Sequence, residues 1–219
     1  MVHADLWQQL LEVYFATKRI YAISEETDED LMTNLQPLNE FRAALDHVMR
    51  SIAVDYPDVV AALTDEALPE NFSEQNLRSA TSHMYRAFFD VCDSVSINYR
   101  EKIRSDLEGF SKEAISAAIP DYYSVIRPDI EEISHDIASM RMSKGQNPAR
   151  KTQDINSYTA AIEKLANYVK KVNSAQVSLL ELKKEEEKRS RSDRRKNVAF
   201  YVVVPLLCAI GAFIAGKLV

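Results

Sequence analysis

Apolar residues recur every three or four positions through most of the chain, which is the spacing that places them on one face of an α-helix. Leu6, Leu10, Val13 and Ile20 give the first example. Polar or proline-containing stretches interrupt this pattern, and they are typical of helix ends. The pattern therefore predicts helices over residues 4–23, 28–55, 73–118 and 121–143, a short helical segment at 59–68, and a last helix from about residue 152.

Glycine is scarce in the chain. The 219 residues include only four glycines, and two of them lie at positions 211 and 216. A sheet protein of this length needs hairpin turns, which depend on residues that tolerate positive φ. We therefore expect an all-α fold, an antiparallel helical bundle of about five helices.

The last predicted helix carries a heptad pattern. Tyr158, Leu165, Val172 and Leu179 are spaced seven residues apart. Four such heptads are typical of a coiled coil with a second copy, or of a helix docked along its own bundle. Docking is favoured, because Ala161, Tyr168 and Ala175 at the companion positions are not preferred in a coiled-coil seam.

Residues 198–216 contain no charged side chain. A run of this length is typical of a transmembrane helix, so the sequence predicts a C-terminal membrane anchor. The preceding segment 188–196 has six basic residues and one acidic residue, and a positive flank predicts that this side stays in the cytoplasm. The predicted organisation is a cytosolic helical bundle at 1–180, a charged juxtamembrane stalk at 181–196 and a single-pass, tail-anchored membrane segment at 197–219.

The charge distribution indicates which kinds of partner the chain can bind. Residues 1–187 contain 20 Lys and Arg against 32 Asp and Glu, a net charge of −12. This acidic balance opposes binding of duplex DNA, which needs a basic face for the phosphates. The basic segment before the apolar run instead predicts contact with a lipid bilayer.

Known catalytic motifs are missing from the sequence. It has no P-loop, GxGxxG, GxSxG or HExxH, so we expect neither a cofactor nor a metal site. Glu132 and His135 form a single Glu-x-x-His, but a di-iron bundle needs that element twice. A surface ion pair or hydrogen bond is the favoured interpretation.

The second and third predicted helices carry polar side chains among apolar ones. Arg42 lies between Leu38 and Leu45 in the apolar stripe, which predicts a core-facing guanidinium that needs a partner. We therefore predict a polar network between the two helices, formed by Arg42, Asp46, His83, Arg86 and Asp90.

The segment Arg42-Ala-Ala-Leu-Asp-His47 resembles the Arg-x4-6-His motif of HEPN (higher eukaryote and prokaryote nucleotide-binding) helical domains. The segment HMYRAFFD that begins at His83 is similar to helical proteins of that group, and Arg78 to His83 has the same spacing as the motif. The resemblance implies a helical bundle, often dimeric, that cuts RNA without a metal. It also implies that Arg42 contacts phosphate and that His47 is the catalytic histidine.

These observations leave two functions open. The first is a membrane-tethered interaction or signalling module, acting through a protein partner or a homodimer and without an evident catalytic site. The alternative is a membrane-bound HEPN-like ribonuclease in a defence or stress system, with RNA as its substrate. The sequence does not decide whether the protein is an enzyme.

Overall fold

The structure is a computed structural model that describes residues 3–27, 35–63, 68–142, 151–198, 200–201 and 204–208. Within these ranges the chain forms helices and turns and no strand, so the all-helical bundle is confirmed. A π-helical turn at Tyr122–Ile126 precedes the sixth helix. The helices are α1 Ala4–Thr27, α2 Leu35–Ala53, α3 Pro57–Leu63, α4 Phe72–Leu107, α5 Lys112–Ala118, α6 Arg127–Met142 and α7 Lys151–Val198.

The long third predicted helix is divided in two. Gly109 has a φ of 79°, a left-handed conformation that ends α4 at Leu107. Ser111 then caps α5, because its hydroxyl oxygen accepts a hydrogen bond from the Ala114 amide at 3.0 Å. The predicted start of the second helix at residue 28 lies outside the described residues.

Helix α4 is the centre of the bundle. It packs against α1, α2 and α7, and its side chains Leu77, Phe88 and Val95 are fully buried. The heptad positions of α7 are also fully buried within the same chain. The prediction that α7 docks along its own bundle is therefore confirmed.

Helix α2 turns a different face to the core than the sequence predicted. Phe41, Ala44 and Ser51 lie on the side that meets α4, and Ala44 is only 1% exposed. Leu38, Leu45 and Arg42 are exposed. The predicted core-facing position of Arg42 is therefore wrong, because α2 has two apolar faces and the one richer in leucine is on the outside.

The predicted transmembrane helix is corrected by the structure. No helix among the described residues is both long enough and apolar enough to span a bilayer. Of the predicted segment, the structure describes residues 197–198 at the end of α7, the π-helical residues 200–201 and the helical residues 204–208. The tail anchor, the single-pass topology and the cytoplasmic placement were inferred from that helix and are not supported. The remainder of the predicted segment, residues 199, 202–203 and 209–219, lies outside the described residues.

Helix α7 continues from the bundle into the basic region without a break. Its residues 187–194 are exposed, as the polar pattern of the predicted stalk indicates. Nothing in the geometry of this part marks a boundary between bundle and stalk.

A polar pocket between α2 and α4

A small polar pocket lies where α2 crosses α4. Ser79, Ser82, His83 and Arg86 are spaced three and four residues apart, so they share one face of α4. The pocket has a volume of about 240 Å³. Its lining residues are His47 from α2 and Arg78, Ser79, Ser82, His83 and Arg86 from α4.

Glu40 of α2 binds two of the lining residues, His83 and Arg86. Its Oε2 atom accepts hydrogen bonds from His83 Nδ1 at 2.7 Å and from Arg86 Nε at 2.8 Å. The carboxylate is largely buried, with 15% of its side chain exposed. Burial raises the pKa of Glu40, but the hydrogen bonds from His83 and Arg86 outweigh that effect and hold the pKa below its usual value of 4.5. Glu40 is therefore an anion at neutral pH.

The carboxylate also decides the tautomer of His83. Arg86 Nη2 lies 2.6 Å from the same His83 Nδ1 atom that faces Glu40. A guanidinium is only a donor and a carboxylate only an acceptor, so one Nδ1 atom cannot satisfy both. Because Glu40 is ionised and accepts hydrogen bonds, Nδ1 of His83 carries the proton. Nε2 is then the His83 nitrogen that can exchange a proton with a ligand.

His47 is held in the same way by a neutral group. Its Nδ1 atom lies 2.8 Å from Asn76 Oδ1, and Asn76 Nδ2 donates to the Phe72 carbonyl at 2.8 Å. This second bond fixes the orientation of the amide, so Oδ1 can only accept from His47. His47 therefore has its proton on Nδ1 as well, and its Nε2 atom is available for proton exchange.

The two histidines are neighbours in space although they are 36 residues apart in sequence. Their rings are stacked, with centroids 5.2 Å apart and planes inclined by 26°. Both rings line the pocket, and both are oriented through Nδ1. Of two imidazoles held in this way, one can accept a proton from a bound molecule and the other can donate a proton to it.

Two guanidinium groups complete the pocket. Arg86 is bound to Glu40, and Arg78 pairs with Glu74 one turn earlier at 2.7 Å. Their charges are partly balanced by these carboxylates, but guanidinium groups have five donors and retain capacity for a phosphate oxygen. Ser82 donates its hydroxyl proton to the Arg78 carbonyl at 2.9 Å, so its oxygen faces any ligand as an acceptor.

The structure distributes the predicted site residues over different places. His47, His83 and Arg86 come together at the pocket, whereas Arg42 is exposed and lines a separate groove. Asp46 pairs with Arg50 of its own helix at 2.9 Å. Asp90 lies half-buried, one turn beyond Arg86 on α4. The catalytic roles of Arg42 and His47 stay predictions.

Two residues of the site, Glu40 and Asn76, were not predicted from the sequence. Glu40 lies seven residues before His47, so a signal was present in the helical spacing that puts both on one face of α2. No local signal indicated Asn76, because its contact with His47 joins positions 29 residues apart.

The separate groove lies between α1 and α2 and is mostly apolar. It has a volume of about 810 Å³. Its lining residues are Trp7, Leu10, Leu11, Tyr14, Leu38, Asn39, Phe41, Arg42, Ala44, Leu45, Val48 and Met84. The described residues therefore include at least two distinct candidate surfaces, one polar and one apolar.

Comparison with known proteins gives no further identification. No family model, no curated protein and no solved structure matches this chain.

Proposed function

We propose that this protein cleaves RNA at the polar pocket, by acid–base chemistry of His47 and His83. One observation carries the proposal. Two histidines are each oriented through Nδ1 and line a single pocket together with Arg78 and Arg86. An oriented base, an oriented acid and cationic donors for an oxyanion are the components that phosphodiester cleavage needs.

The reaction uses the 2′-hydroxyl of the substrate as the nucleophile. One imidazole removes its proton, and the 2′-oxygen forms a bond to phosphorus. The bond from phosphorus to the 5′-oxygen breaks, and the second imidazole protonates that leaving oxygen. The products are a 2′,3′-cyclic phosphate and a 5′-hydroxyl, and the guanidinium groups stabilise the charge that develops on the phosphorane oxygens.

The roles of acid and base fall to the two different histidines, each oriented by its own partner: Glu40 for His83 and Asn76 for His47. Glu40 and Asn76 are positioning residues, because they act through the histidines.

The resemblance to HEPN domains supports RNA cleavage at the same polar pocket. Arg78 and His83 have the spacing of the Arg-x4-6-His motif, and the polar residue Ser79 follows the arginine. Both lie at the pocket, in contrast to the α2 pair, whose Arg42 lines the apolar groove. The proposed catalytic pair therefore joins the α4 motif with His47.

The test uses the full-length protein with single-stranded and structured RNA in the presence of a chelator. We expect His47→Ala and His83→Ala each to lower the cleavage rate by about 100-fold or more, the usual contribution of a general acid or base. His135→Ala is the matched control, because His135 is exposed on α6, away from the pocket.

A fourth variant keeps the proposal testable if the histidine variants fail to fold. Arg78→Gln changes a side chain that is 63% exposed, so we expect the thermal midpoint to be unchanged and cleavage to fall about 100-fold. Absence of cleavage by the wild-type chain, or equal cleavage by all four variants, would refute the proposal.

The apolar groove favours a second function, that of a helical protein-interaction module. Leu38 and Leu45 line it although they are 46% and 60% exposed. Exposed apolar patches of this kind mark protein contacts in many proteins. A groove between two helices fits the apolar face of a third helix.

A further inference from the structure

The exposed face of α2 has the spacing of a coiled-coil seam. Its positions 35, 38, 42, 45, 49 and 52 follow one another at intervals of three and four residues. This is the heptad pattern that packs one helix against another. Leu35, Leu38, Leu45 and Met49 are 66%, 46%, 60% and 58% exposed in the isolated chain.

Among the described residues, the side chains at five of these six positions are exposed and Ile52 is half-buried. α2 packs on α4 through its opposite side, where Ala44 and Ser51 are buried. A helix with one apolar face in the core and a second regular apolar face outside is suited to contact on both sides. We call the six positions from Leu35 to Ile52 the α2 seam.

We propose that the α2 seam binds the α2 seam of a second copy of this chain, in antiparallel orientation. The inference rests on the interaction-module function and not on RNA cleavage. A two-fold axis between Arg42 and Leu45 places Leu35 opposite Ile52 and Leu38 opposite Met49. All six positions then face another position of the seam, which is the self-complementarity that a two-fold dimer requires.

The charges of the seam fit the same register. Arg42 faces Leu45 of the second copy, and Asp46 of that copy is one residue further along, about 1.5 Å along the axis. Each guanidinium thus has a carboxylate of the other chain within reach at the edge of the apolar contact, and Asp46 turns to it from its exposed pairing with Arg50 of its own helix. Because the two-fold axis repeats this arrangement, both copies of Arg42 are matched by one pairing.

The α1–α2 groove lies beside the seam and extends its apolar surface. Leu11 and Tyr14 of α1 line the groove together with Leu38 and Leu45. A second α2 helix on the seam covers this groove, so four helices pack at the interface. The contact then has the breadth of a helical bundle instead of a single helix pair.

The experiment measures the mass of the full-length protein by sedimentation at micromolar concentration. We expect twice the chain mass of 24.9 kDa for the wild type and a single chain mass for the double variant Leu38→Glu and Leu45→Glu. The matched control is Val177→Glu with Leu180→Glu. These α7 side chains are 68% and 50% exposed and lie outside the seam, so the control stays dimeric.

A charge exchange tests the register. Arg42→Glu places like charges together and weakens the dimer at least tenfold in dissociation constant, whereas Arg42→Glu combined with Asp46→Arg restores it. A monomeric wild type, or a dimer that survives the double leucine variant, would overturn the proposal. So would failure of the exchange to restore what Arg42→Glu weakens.

A dye-binding measurement separates this inference from the interaction-module function. A monomeric wild type that binds anilinonaphthalene sulfonate more strongly than the double leucine variant has an open docking surface, and only the second copy is refuted. A monomer whose dye binding is the same in both forms refutes the docking function as well. The RNA assay is independent of either result.

Discussion

Replacing Glu40 with glutamine probes the contact that orients His83. The substitution keeps the length of the side chain and one oxygen acceptor but removes the negative charge. In the wild type, His83 Nδ1 and Arg86 Nε both donate to Glu40 Oε2, at 2.7 and 2.8 Å. The variant therefore weakens two hydrogen bonds without opening a cavity.

The expected loss of stability follows from the exposure of the partners. A hydrogen bond to a charged group contributes about 1.5–3 kcal/mol, and part of it remains with the glutamine oxygen. The Arg86 side chain is 46% exposed, so solvent screens that pair and it adds less than about 1 kcal/mol. We expect Glu40→Gln to lower the free energy of unfolding by about 1–2 kcal/mol at pH 7.

The pH dependence has a definite sign. The pKa of Glu40 is lower in the folded protein than its usual value of 4.5. The stabilisation by its charge is therefore complete above pH 4.5 and disappears as the pH falls through the folded pKa. The difference between wild type and variant should shrink toward zero in acid.

Urea denaturation followed by circular dichroism, at pH 7 and in steps below pH 5, measures both quantities. Glu131→Gln is the control, because that carboxylate is 69% exposed and pairs with Arg127 of its own helix. A Glu40→Gln variant as stable as the wild type, or a difference that does not change with pH, would refute the role assigned to the carboxylate. The variant should also lower RNA cleavage, because His83 loses the group that orients it.

Two further predictions concern the scaffold. Leu165→Ala truncates a fully buried side chain of α7 and should cost about 2–5 kcal/mol of unfolding free energy, whereas Leu180→Ala at an exposed position should cost less than about 0.5 kcal/mol. Equal effects in urea denaturation would contradict the docking of α7 on its own bundle. Gly109→Ala should cost about 1–2 kcal/mol through its φ of 79° alone, because an added Cβ meets only Lys183 Nζ, at 3.5 Å. Gly109→Asn should cost less, and a stabilising alanine in a thermal melt would show that the left-handed turn is not required.

Periodicity in the sequence predicted where most of the helices lie and which face of α7 is buried, but not the break at Gly109 that divides the third predicted helix. Helix α7 has one apolar face, which includes the heptad residues Tyr158 and Leu165, and that face is buried. α2 has two such faces, and spacing cannot tell which of them meets the core. The structure buries the one with Ala44, a small side chain that permits close approach to α4.

The candidate site was predictable only in part. His47 and His83 were conspicuous as polar residues in helical patterns, but the groups that orient them come from pairing distant helices. Glu40 and His83 are 43 residues apart, and their contact depends on how α2 crosses α4. Hydropathy likewise predicted a spanning helix at the C-terminus, but no helix among the described residues is long and apolar enough to be one.

The most direct test of the proposed chemistry is the identity of the RNA ends that the full-length protein leaves. The substrate is an oligonucleotide with one ribonucleotide in a DNA strand, incubated with chelator, beside the same strand with a 2′-deoxy residue at that position. We predict a 2′,3′-cyclic phosphate and a 5′-hydroxyl from the first strand, and no cleavage of the second. Cleavage of the all-deoxy strand, products with a 5′-phosphate, or no product from the ribonucleotide strand would contradict catalysis by His47 and His83.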